Sequence, residues 1–174
     1  MIPEGFSLLL SRDEIDRRVE ALANELRAEL DGRPTTFVGI LDGALFFLTD
    51  LIRALAMDVR IDFLRLTSYG GGMESGDLRM LSGLTWNVVG REVVIVDDIL
   101  DTGKTISFAE RYLKDQGAAG VQSVLLLAKE RARVANPERF HIGFHIPDQF
   151  VIGYGLDWDG RFRHLPEIYA KEKA

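Results

Sequence analysis

Apolar residues recur near the start of the chain at the spacing of an amphipathic helix. Positions 15, 19, 22, 26 and 30 are Ile, Val, Leu, Leu and Leu, at intervals of 4, 3, 4 and 4 residues. Ser11, with Glu14 three residues later, fits a capping box at the helix start, and Gly32 fits the helix end. The pattern therefore predicts one helix between Ser11 and Gly32.

Beyond this helix, short apolar runs alternate with longer helical segments. The predicted strands are 36–41, 59–63, 78–81, 91–96, 121–128, 140–144 and 150–154, and the predicted helices are 44–57 and 105–116. Such alternation is typical of an α/β fold with a mostly parallel sheet covered by helices on both faces. The 174 residues contain no repeat and no long linker, so one domain over residues 1–174 is expected.

Composition and charge narrow the classes of function. The formal net charge is −6 and the basic residues are scattered, which argues against a nonspecific nucleic-acid binder. The chain contains no cysteine, so disulfides, thiolate metal sites and cysteine nucleophiles are excluded. Neither a signal peptide nor a membrane span is recognisable in the sequence, and a cytoplasmic location is expected.

The segment 93–105 carries the clearest chemistry. An apolar strand runs into Asp97 and Asp98, a turn of small and hydroxyl residues follows, and then a helix begins. Ligands of parallel sheets bind at the carboxyl ends of the strands, and a helix N-terminus offers free N–H groups to a phosphate. Gly103 allows close approach of the backbone. We expect the two carboxylates to hold neighbouring sugar hydroxyls beside that phosphate.

Two other interpretations of this segment are possible. Gly-Lys-Thr at 103–105 occurs in nucleotide-binding P-loops, but that motif needs a glycine five positions before Gly103, where this chain has Asp98. A surface turn with capping residues would explain Thr102. It would not explain two acids directly after a buried strand together with a third at Asp101.

Residues 93–105 resemble the phosphoribosyl diphosphate-binding signature of type I phosphoribosyltransferases, and most closely the hypoxanthine-guanine branch. Asp97 stands where a glutamate is more usual, and the resemblance extends from about Thr36 to Ile168. It implies a central mostly parallel sheet flanked by helices, a flexible lid loop, and a small hood formed by the chain ends. It also implies a homodimer or homotetramer, with no nucleic-acid or membrane partner.

The resemblance implies a reaction and a set of residue roles. The 5-phosphoribosyl group would pass from phosphoribosyl diphosphate to hypoxanthine or guanine, giving IMP or GMP and diphosphate, with Mg²⁺ as cofactor, in purine salvage. Asp97 and Asp98 would hold the ribose hydroxyls and contribute to the metal site. The 5-phosphate would be cradled by Asp101, Thr102, Gly103, Lys104 and Thr105. Asp101 would also be the catalytic residue, as general base or as charge partner of the purine N7 proton.

Two further segments match the family's diphosphate loop and lid. Leu41, Asp42 and Gly43 would bind diphosphate through the backbone, often beside a non-proline cis bond. Asp42 departs from the family, which often has lysine there, and it would need magnesium or a neighbouring cation. Ser68 and Tyr69, before the glycine-rich stretch, would begin the lid that excludes water from the reaction.

The C-terminal part matches the family's purine site. Lys129 would contact the 6-oxo group, Phe150 would stack on the base, and Val151 would offer backbone groups. Asp157 would lie at the purine site and help to hold magnesium, and Arg163 would meet diphosphate. For these residues an ordinary core or surface role remains the alternative.

Other functions remain open from sequence. The chain could instead be a regulator of the same fold that binds RNA or a nucleotide, although its net negative charge argues against this function. Xanthine or a pyrimidine could be the accepted base, and the domain could bind without catalysis. The sequence does not separate hypoxanthine, guanine and xanthine, because the backbone groups that would read the purine 2-position are not placed by it.

Overall fold

The computed structural model describes residues 2–68, 78–132 and 137–172. Three helices are present in these ranges: α1 (Arg12–Leu30), α2 (Leu45–Leu55) and α3 (Lys104–Asp115). The nine strands of these ranges are β1 (Phe6–Leu10), β2 (Thr35–Leu41), β3 (Arg60–Ser68), β4 (Leu78–Ser82), β5 (Glu92–Leu100), β6 (Gly120–Lys129), β7 (Phe140–Ile146), β8 (Val151–Ile152) and β9 (Ile168–Lys171). A short 3-10 helix, Pro137–Arg139, precedes β7.

The predicted parallel sheet is confirmed. Six strands lie in the order β4-β3-β2-β5-β6-β7, and only the edge pair of β3 and β4 is antiparallel. Strand β2 connects to β3 through α2, and β5 connects to β6 through α3, which are the helical crossovers that neighbouring parallel strands need. The central strand β5 therefore has neighbours on both sides and delivers its C-terminal end to the middle of one sheet edge.

Helices cover both faces of this sheet, as the alternation of strand and helix predicts. Along β5, Val94 and Val96 belong to the cluster formed with α1 and α2. Val93 and Ile95 belong to the opposite cluster, formed with α3. Side chains of a strand alternate between faces, so a strand buried on both faces is apolar at every position.

Strand β5 is longer than the apolar run predicts. The prediction ends at Val96, whereas the strand continues to Leu100 because Asp97, Ile99 and Leu100 still align with β6. Backbone pairing does not depend on side-chain polarity, so the acidic residues did not end the strand. Asp97 and Asp98 consequently lie on the rigid strand itself and not in the turn that follows.

A second, three-stranded sheet has the order β1-β9-β8 and forms the hood over the end of the large sheet. Both chain ends contribute to it, as the family resemblance implies. Strands β1 and β9 were not predicted from periodicity, since runs of five and four residues carry too little pattern to predict a strand. Their mutual antiparallel pairing, which joins positions more than 150 residues apart in sequence, is what makes them strands.

No helix within 2–68, 78–132 and 137–172 combines the length and the apolar character that crossing a membrane requires.

Candidate active site

The predicted phosphate loop lines a cavity of about 380 Å³ at the C-terminal edge of the large sheet. Parallel strands end at the same edge, so segments far apart in sequence meet there. The lining includes the following residues predicted from sequence: Leu41, Gly43, Asp97, Asp98, Asp101, Thr102, Gly103, Thr105, Asp157 and Arg163. Asp42 and Lys104 flank this lining and are not part of it.

Gly103 shapes the end of this cavity at which phosphate binding is predicted. It is the N-cap of α3 and has a φ of 77°, a left-handed conformation that favours glycine. Thr102 and Thr105 line the cavity on either side of the cap. The N–H groups of the first helical turn have no partner within the helix, so this end of the cavity suits an anionic group.

A second cavity, of about 250 Å³, adjoins the first. Its lining contains Lys129, Phe150 and Val151, the three residues predicted to face the purine. The two cavities share four residues: Asp98, Ile99, Asp101 and Asp157. Gln149 and Leu156 complete the second cavity. Neither was predicted as a site residue, although each is the sequence neighbour of one that was, Phe150 or Asp157.

The two adjacent acids of β5 are held close to each other in a buried setting. Asp97 is only 6% exposed, and its Oδ1 accepts a hydrogen bond of 3.0 Å from the backbone N–H of Asp98. Burial raises the pKa of the Asp97 carboxyl well above its ordinary value, and the charge of Asp98 raises it further. Burial also raises the pKa of Asp98, while the positive charge of Arg163 acts in the opposite direction. Such a pair favours hydroxyl or cationic partners.

The loop after β2 packs tightly against β5 and the hood. The Leu41–Asp42 peptide bond is cis, as the resemblance implies. A Cβ atom at Gly43 would lie 1.8 Å from Oδ2 of Asp98, and one at Gly155 would lie 2.1 Å from the Gly43 carbonyl oxygen. Three segments distant in sequence thus meet at van der Waals distance, which only glycine permits.

Asp42, where the chain departs from the family pattern, has a cationic side chain beside it. Its Oδ2 lies 3.3 Å from an Nη atom of Arg65 on β3, and both side chains are about half exposed. Arg65 was not predicted as a site residue, because its contact with Asp42 depends on the pairing of β2 with β3.

Arg163 forms a fork between backbone and carboxylate. Its Nη1 donates to the Gly155 carbonyl at 2.5 Å, and its Nη2 lies 2.8 Å from Oδ1 of Asp157. The second oxygen of Asp157 accepts the Gly160 N–H at 2.8 Å. Arg163 and Asp157 therefore form an ion pair, as the surface alternative expects, yet both line the first cavity.

Asp101 belongs to a network of two acids and two bases at the second cavity. Its Oδ1 accepts bonds of 2.9 and 2.6 Å from Nε and Nη2 of Arg131, and Lys129 Nζ lies 3.5 Å from its Oδ2. Asp148 lies 3.3 Å from Lys129 and 3.0 Å from Arg131. The side chain of Lys129 is only 12% exposed, whereas those of Asp101, Asp148 and Arg131 are 40% to 52% exposed. Arg131 and Asp148 were not predicted as site residues.

The predicted lid falls largely outside the described residues. The backbone of Ser68 ends β3 and aligns with Leu78 of β4, but Tyr69 lies outside the described ranges. Thr67 and Leu78 line the first cavity, so the two strands that flank the predicted lid border the site. The role of Ser68 and Tyr69 stays a prediction.

The three acids predicted to hold magnesium border one cavity without forming a closed metal site. No group of three or more His, Cys, Asp or Glu side chains within 2–68, 78–132 and 137–172 is arranged to hold a metal ion. Mg²⁺ prefers oxygen ligands and usually binds through one or two carboxylates together with substrate phosphates and water. The carboxylates of Asp97, Asp98 and Asp157 therefore fit such a cation only when a substrate supplies the remaining oxygens.

Comparison with known proteins agrees with this geometry. The family model described as "Phosphoribosyl transferase domain" matches residues 9–159. A hypoxanthine-guanine phosphoribosyltransferase from Aquifex aeolicus is 40% identical over 95% of this chain and 94% of its own length. The "Bifunctional protein TilS/HprT" of Listeria innocua is 40% identical over 92% of this chain, which spans only about 25% of that relative.

Solved structures give the same result. A hypoxanthine phosphoribosyltransferase from Staphylococcus aureus superposes with a TM-score of 0.89 at 35% identity, covering 95% of this chain and 91% of that one. The Trypanosoma cruzi hypoxanthine phosphoribosyltransferase in complex with the product IMP has a TM-score of 0.88 at 32% identity, covering 99% and 97%. The predicted resemblance is thereby confirmed. The chain belongs to the phosphoribosyltransferase family, in its hypoxanthine-guanine branch.

Proposed function

We propose that this chain transfers the 5-phosphoribosyl group of phosphoribosyl diphosphate to a 6-oxopurine, hypoxanthine or guanine, in purine salvage. A ring nitrogen of the base forms a bond to C1 of the ribose, the bond from C1 to diphosphate breaks, and the base loses a proton. The products are IMP or GMP and diphosphate. Residues 1–174 would act as one domain.

One observation carries this proposal: the two adjoining cavities meet at Asp98, Asp101 and Asp157. The first cavity offers a helix N-terminus for a phosphate, and it offers the buried Asp97 and the partly buried Asp98 for sugar hydroxyls. The second offers an ammonium group and an exposed aromatic ring, on Lys129 and Phe150. A ribose phosphate in the first cavity and a base in the second would meet at the shared wall, where C1 must react.

The roles of the chain's own residues follow from this placement. The Thr102–Thr105 turn would bind the 5-phosphate, and Asp97 and Asp98 would bind the ribose hydroxyls. Asp101 would accept or stabilise the purine proton, since it borders both cavities. Arg163 would contribute positive charge near the diphosphate.

The second cavity supports a purine and, more narrowly, a 6-oxopurine. The partly buried Lys129 can donate to a carbonyl oxygen but cannot accept from the 6-amino group of adenine. Phe150 would stack on the ring, and Val151 would offer its backbone groups. Magnesium, when bound with diphosphate, would supply charge neutralisation for the leaving group, with Asp97, Asp98 and Asp157 as the nearby carboxylates. A cytoplasmic homodimer or homotetramer is proposed from the family resemblance.

The test is diphosphate release from phosphoribosyl diphosphate and Mg²⁺ with hypoxanthine, guanine, xanthine, adenine and uracil offered one at a time. We expect turnover with hypoxanthine or guanine and none with adenine. If only xanthine or only uracil were turned over, that base would replace hypoxanthine and guanine as the proposed substrate. No turnover with any base would overturn the enzymatic proposal and favour a regulator or a non-catalytic binder of the same fold.

A further inference from the structure

Four aromatic rings form a connected cluster on the hood. Phe150 contacts Phe6 at a centroid distance of 6.3 Å and Trp158 at 6.4 Å. Phe6 and Trp158 also contact each other, at 5.6 Å, and Trp158 stacks on Phe162 at 6.3 Å. Only one of these rings, Phe150, has a role in the proposed reaction. Phe6 and Trp158 contact this ring directly, whereas Phe162 contacts Trp158.

The register of the hood sheet brings Phe6 and Phe150 together. Phe6 of β1 pairs with Lys171 of β9, and the Lys171 N–H donates to the Phe150 carbonyl at 2.8 Å. Directly paired residues place their side chains on the same face of a sheet, so Phe6, Lys171 and Phe150 form one row. The two Phe backbones are two strand spacings apart, or roughly 10 Å, and their rings lean toward each other above Lys171.

Trp158 reaches the same face from a tight hairpin. Trp158 and Arg161 exchange two backbone hydrogen bonds of 3.1 Å, and Asp159 and Gly160 between them have φ values of 52° and 71°. Two left-handed central residues are the signature of a type I′ turn, in which Asp-Gly is favoured. The ammonium group of Lys171 lies 5.9 Å from the Trp158 ring centroid, within the range of a cation–π contact. The hairpin thereby holds Trp158 against the row of side chains.

The two neighbours restrain the Phe150 ring without covering it. Both contacts are edge-to-face, with interplanar angles of 70° to Phe6 and 77° to Trp158. Phe150 nevertheless remains 46% exposed and lines the second cavity together with Lys129 and Asp101. The ring is thus held at a set tilt while part of it borders the space proposed for the purine.

We propose that Phe6 and Trp158 are positioning residues for the purine site, which hold the Phe150 ring in the orientation that stacks on the base. This inference rests on the proposed function. Phe6 lies outside residues 9–159, the part of the chain that the family model matches. A ring that is already fixed does not lose rotational freedom when the base binds, so the neighbours increase affinity for the base without contacting it.

The expected effect is specific to the base. Replacing Phe6 or Trp158 by alanine should raise the KM for hypoxanthine and the Kd for IMP by about 3- to 10-fold, the equivalent of one aromatic pair. The KM for phosphoribosyl diphosphate should stay within about twofold, because neither ring lines the first cavity. A general loosening of the hood would instead raise both constants, since Asp157 and Arg163 belong to the same segment.

Binding of IMP can be followed by tryptophan fluorescence. The chain has two tryptophans, and Trp86→Phe leaves Trp158 beside Phe150 as the single reporter. In that background we would titrate IMP into Phe6→Ala, Phe6→Leu and Phe6→Tyr, with Leu8→Ala as the matched control. Leu8 lies on the same strand, is 54% exposed and has no ring to contribute. Steady-state KM values for both substrates would be measured in the same variants and in Trp158→Ala.

Support for the inference requires that alanine and leucine at position 6 weaken IMP binding while tyrosine and Leu8→Ala do not. The inference would be overturned if Phe6→Ala bound IMP as tightly as the unsubstituted chain. It would also be overturned if Phe6→Leu bound IMP as tightly as Phe6→Tyr, because Phe6 would then contribute only ordinary packing. Equal loss of affinity for both substrates would do the same. If the unsubstituted chain neither binds IMP nor turns over hypoxanthine, the proposed function itself fails, and the positioning role fails with it.

Discussion

The carboxylate of Asp98 lies against the α-carbon of Gly43, so closely that a Cβ atom at position 43 would stand 1.8 Å from Oδ2. This contact joins the loop after β2 to the end of β5, the two segments that carry the predicted diphosphate and ribose contacts. A side chain at position 43 would therefore require one of the two segments to shift.

Gly43→Ala is therefore expected to displace Asp98. Overpacking of this kind costs roughly 1–3 kcal/mol of the free energy of unfolding. We also expect the KM for phosphoribosyl diphosphate to rise by about tenfold or more, since both loops would shift. Chemical denaturation and steady-state kinetics would measure the two effects.

A double-mutant cycle separates the clash from other effects of the extra methyl group. In an Asp98→Ala background the carboxylate is absent, so Gly43→Ala should cost much less stability than in the unsubstituted chain. An equal cost in both backgrounds would show that Asp98 is not the group displaced.

The buried acid Asp97 should weaken the fold at neutral pH. Because burial raises its pKa, the folded protein keeps the proton to a higher pH than the unfolded chain, whose carboxyl has the ordinary value of 3.8. The free energy of unfolding then falls as the pH rises from that value toward the raised folded pKa. Asp97→Asn should consequently raise the Tm near neutral pH by roughly 2–4 °C, or about 1 kcal/mol, in the absence of substrate and metal.

Thermal unfolding at a series of pH values would test this expectation. The gain in Tm should shrink as the pH falls toward about 4, the ordinary pKa of a carboxyl group, because the folded acid is protonated there. Asp148→Asn is the control, because that carboxylate is exposed and already paired with Lys129 and Arg131. If the Tm of Asp97→Asn were equal to or lower than that of the unsubstituted chain at every pH, burial of the Asp97 charge would not weaken the fold.

Asp101 and Asp148 offer a matched pair for testing catalysis. Both contact Lys129 and Arg131, but only Asp101 lines the two cavities. Asp101→Asn should lower kcat by about 10²- to 10⁴-fold, the usual contribution of a positioned acid or base. The KM for phosphoribosyl diphosphate should change far less than kcat.

Asp148→Asn keeps Asp101 and removes the other acid of the network. We expect kcat to stay within about threefold of the original, because partly exposed ion pairs contribute little. Near-normal turnover in Asp101→Asn would remove that residue from the mechanism. If kcat fell to a similar extent in both variants, the effect would be due to the charge network as a whole and not to Asp101 alone.

Lys129 should determine the preference for a 6-oxo base. Its ammonium group is mostly buried at the wall of the second cavity, so its bond to a carbonyl would be charge-assisted. Lys129→Gln should lower kcat/KM for hypoxanthine by about 10- to 100-fold, as expected for loss of a hydrogen bond from a charged group. Competition between hypoxanthine and adenine would show a matching loss of discrimination.

Arg131→Gln is the control for charge in this region, since it removes a cation that is more exposed. It should leave the ratio of hypoxanthine to adenine turnover near that of the unsubstituted chain. If Arg131→Gln changed the ratio as much as Lys129→Gln did, net charge and not the placement of Lys129 would explain the preference.

The pair of Asp42 and Arg65 offers a test of how this chain tolerates an acid in the loop that is predicted to bind diphosphate. Their side chains lie 3.3 Å apart and are about half exposed, so the pair should contribute little to stability. Arg65→Ala leaves the Asp42 charge uncompensated beside the proposed diphosphate. We expect a rise of about 3- to 10-fold in the KM for phosphoribosyl diphosphate, largest at low ionic strength.

Asp42→Asn should suppress this effect when it is combined with Arg65→Ala, because the repelling charge is gone. Kinetics of the two single variants and the double variant at low and high salt would measure the coupling. A double variant as impaired as Arg65→Ala alone would mean that Arg65 binds diphosphate itself and does not act by neutralising Asp42.

The sequence by itself determined the features that depend on neighbouring residues. Helix α1, with Ser11 and Glu14 at its start, follows from a local pattern, because capping and amphipathic spacing involve residues within a few turns. The alternation of strand and helix determined a parallel sheet. The turn from Asp101 to Thr105 was recognisable because a strand end, a glycine and a helix start occur consecutively.

The tertiary structure decided which distant residues meet. The ion pairs of Arg131 with Asp101 and of Arg65 with Asp42 join segments at the ends of neighbouring strands, and local patterns contain no information on which side chains face each other. The contact of Phe6 with Phe150 depends on the register of β1, β9 and β8. Register depends on closing long loops and on burying one face of each strand, which are properties of the whole fold.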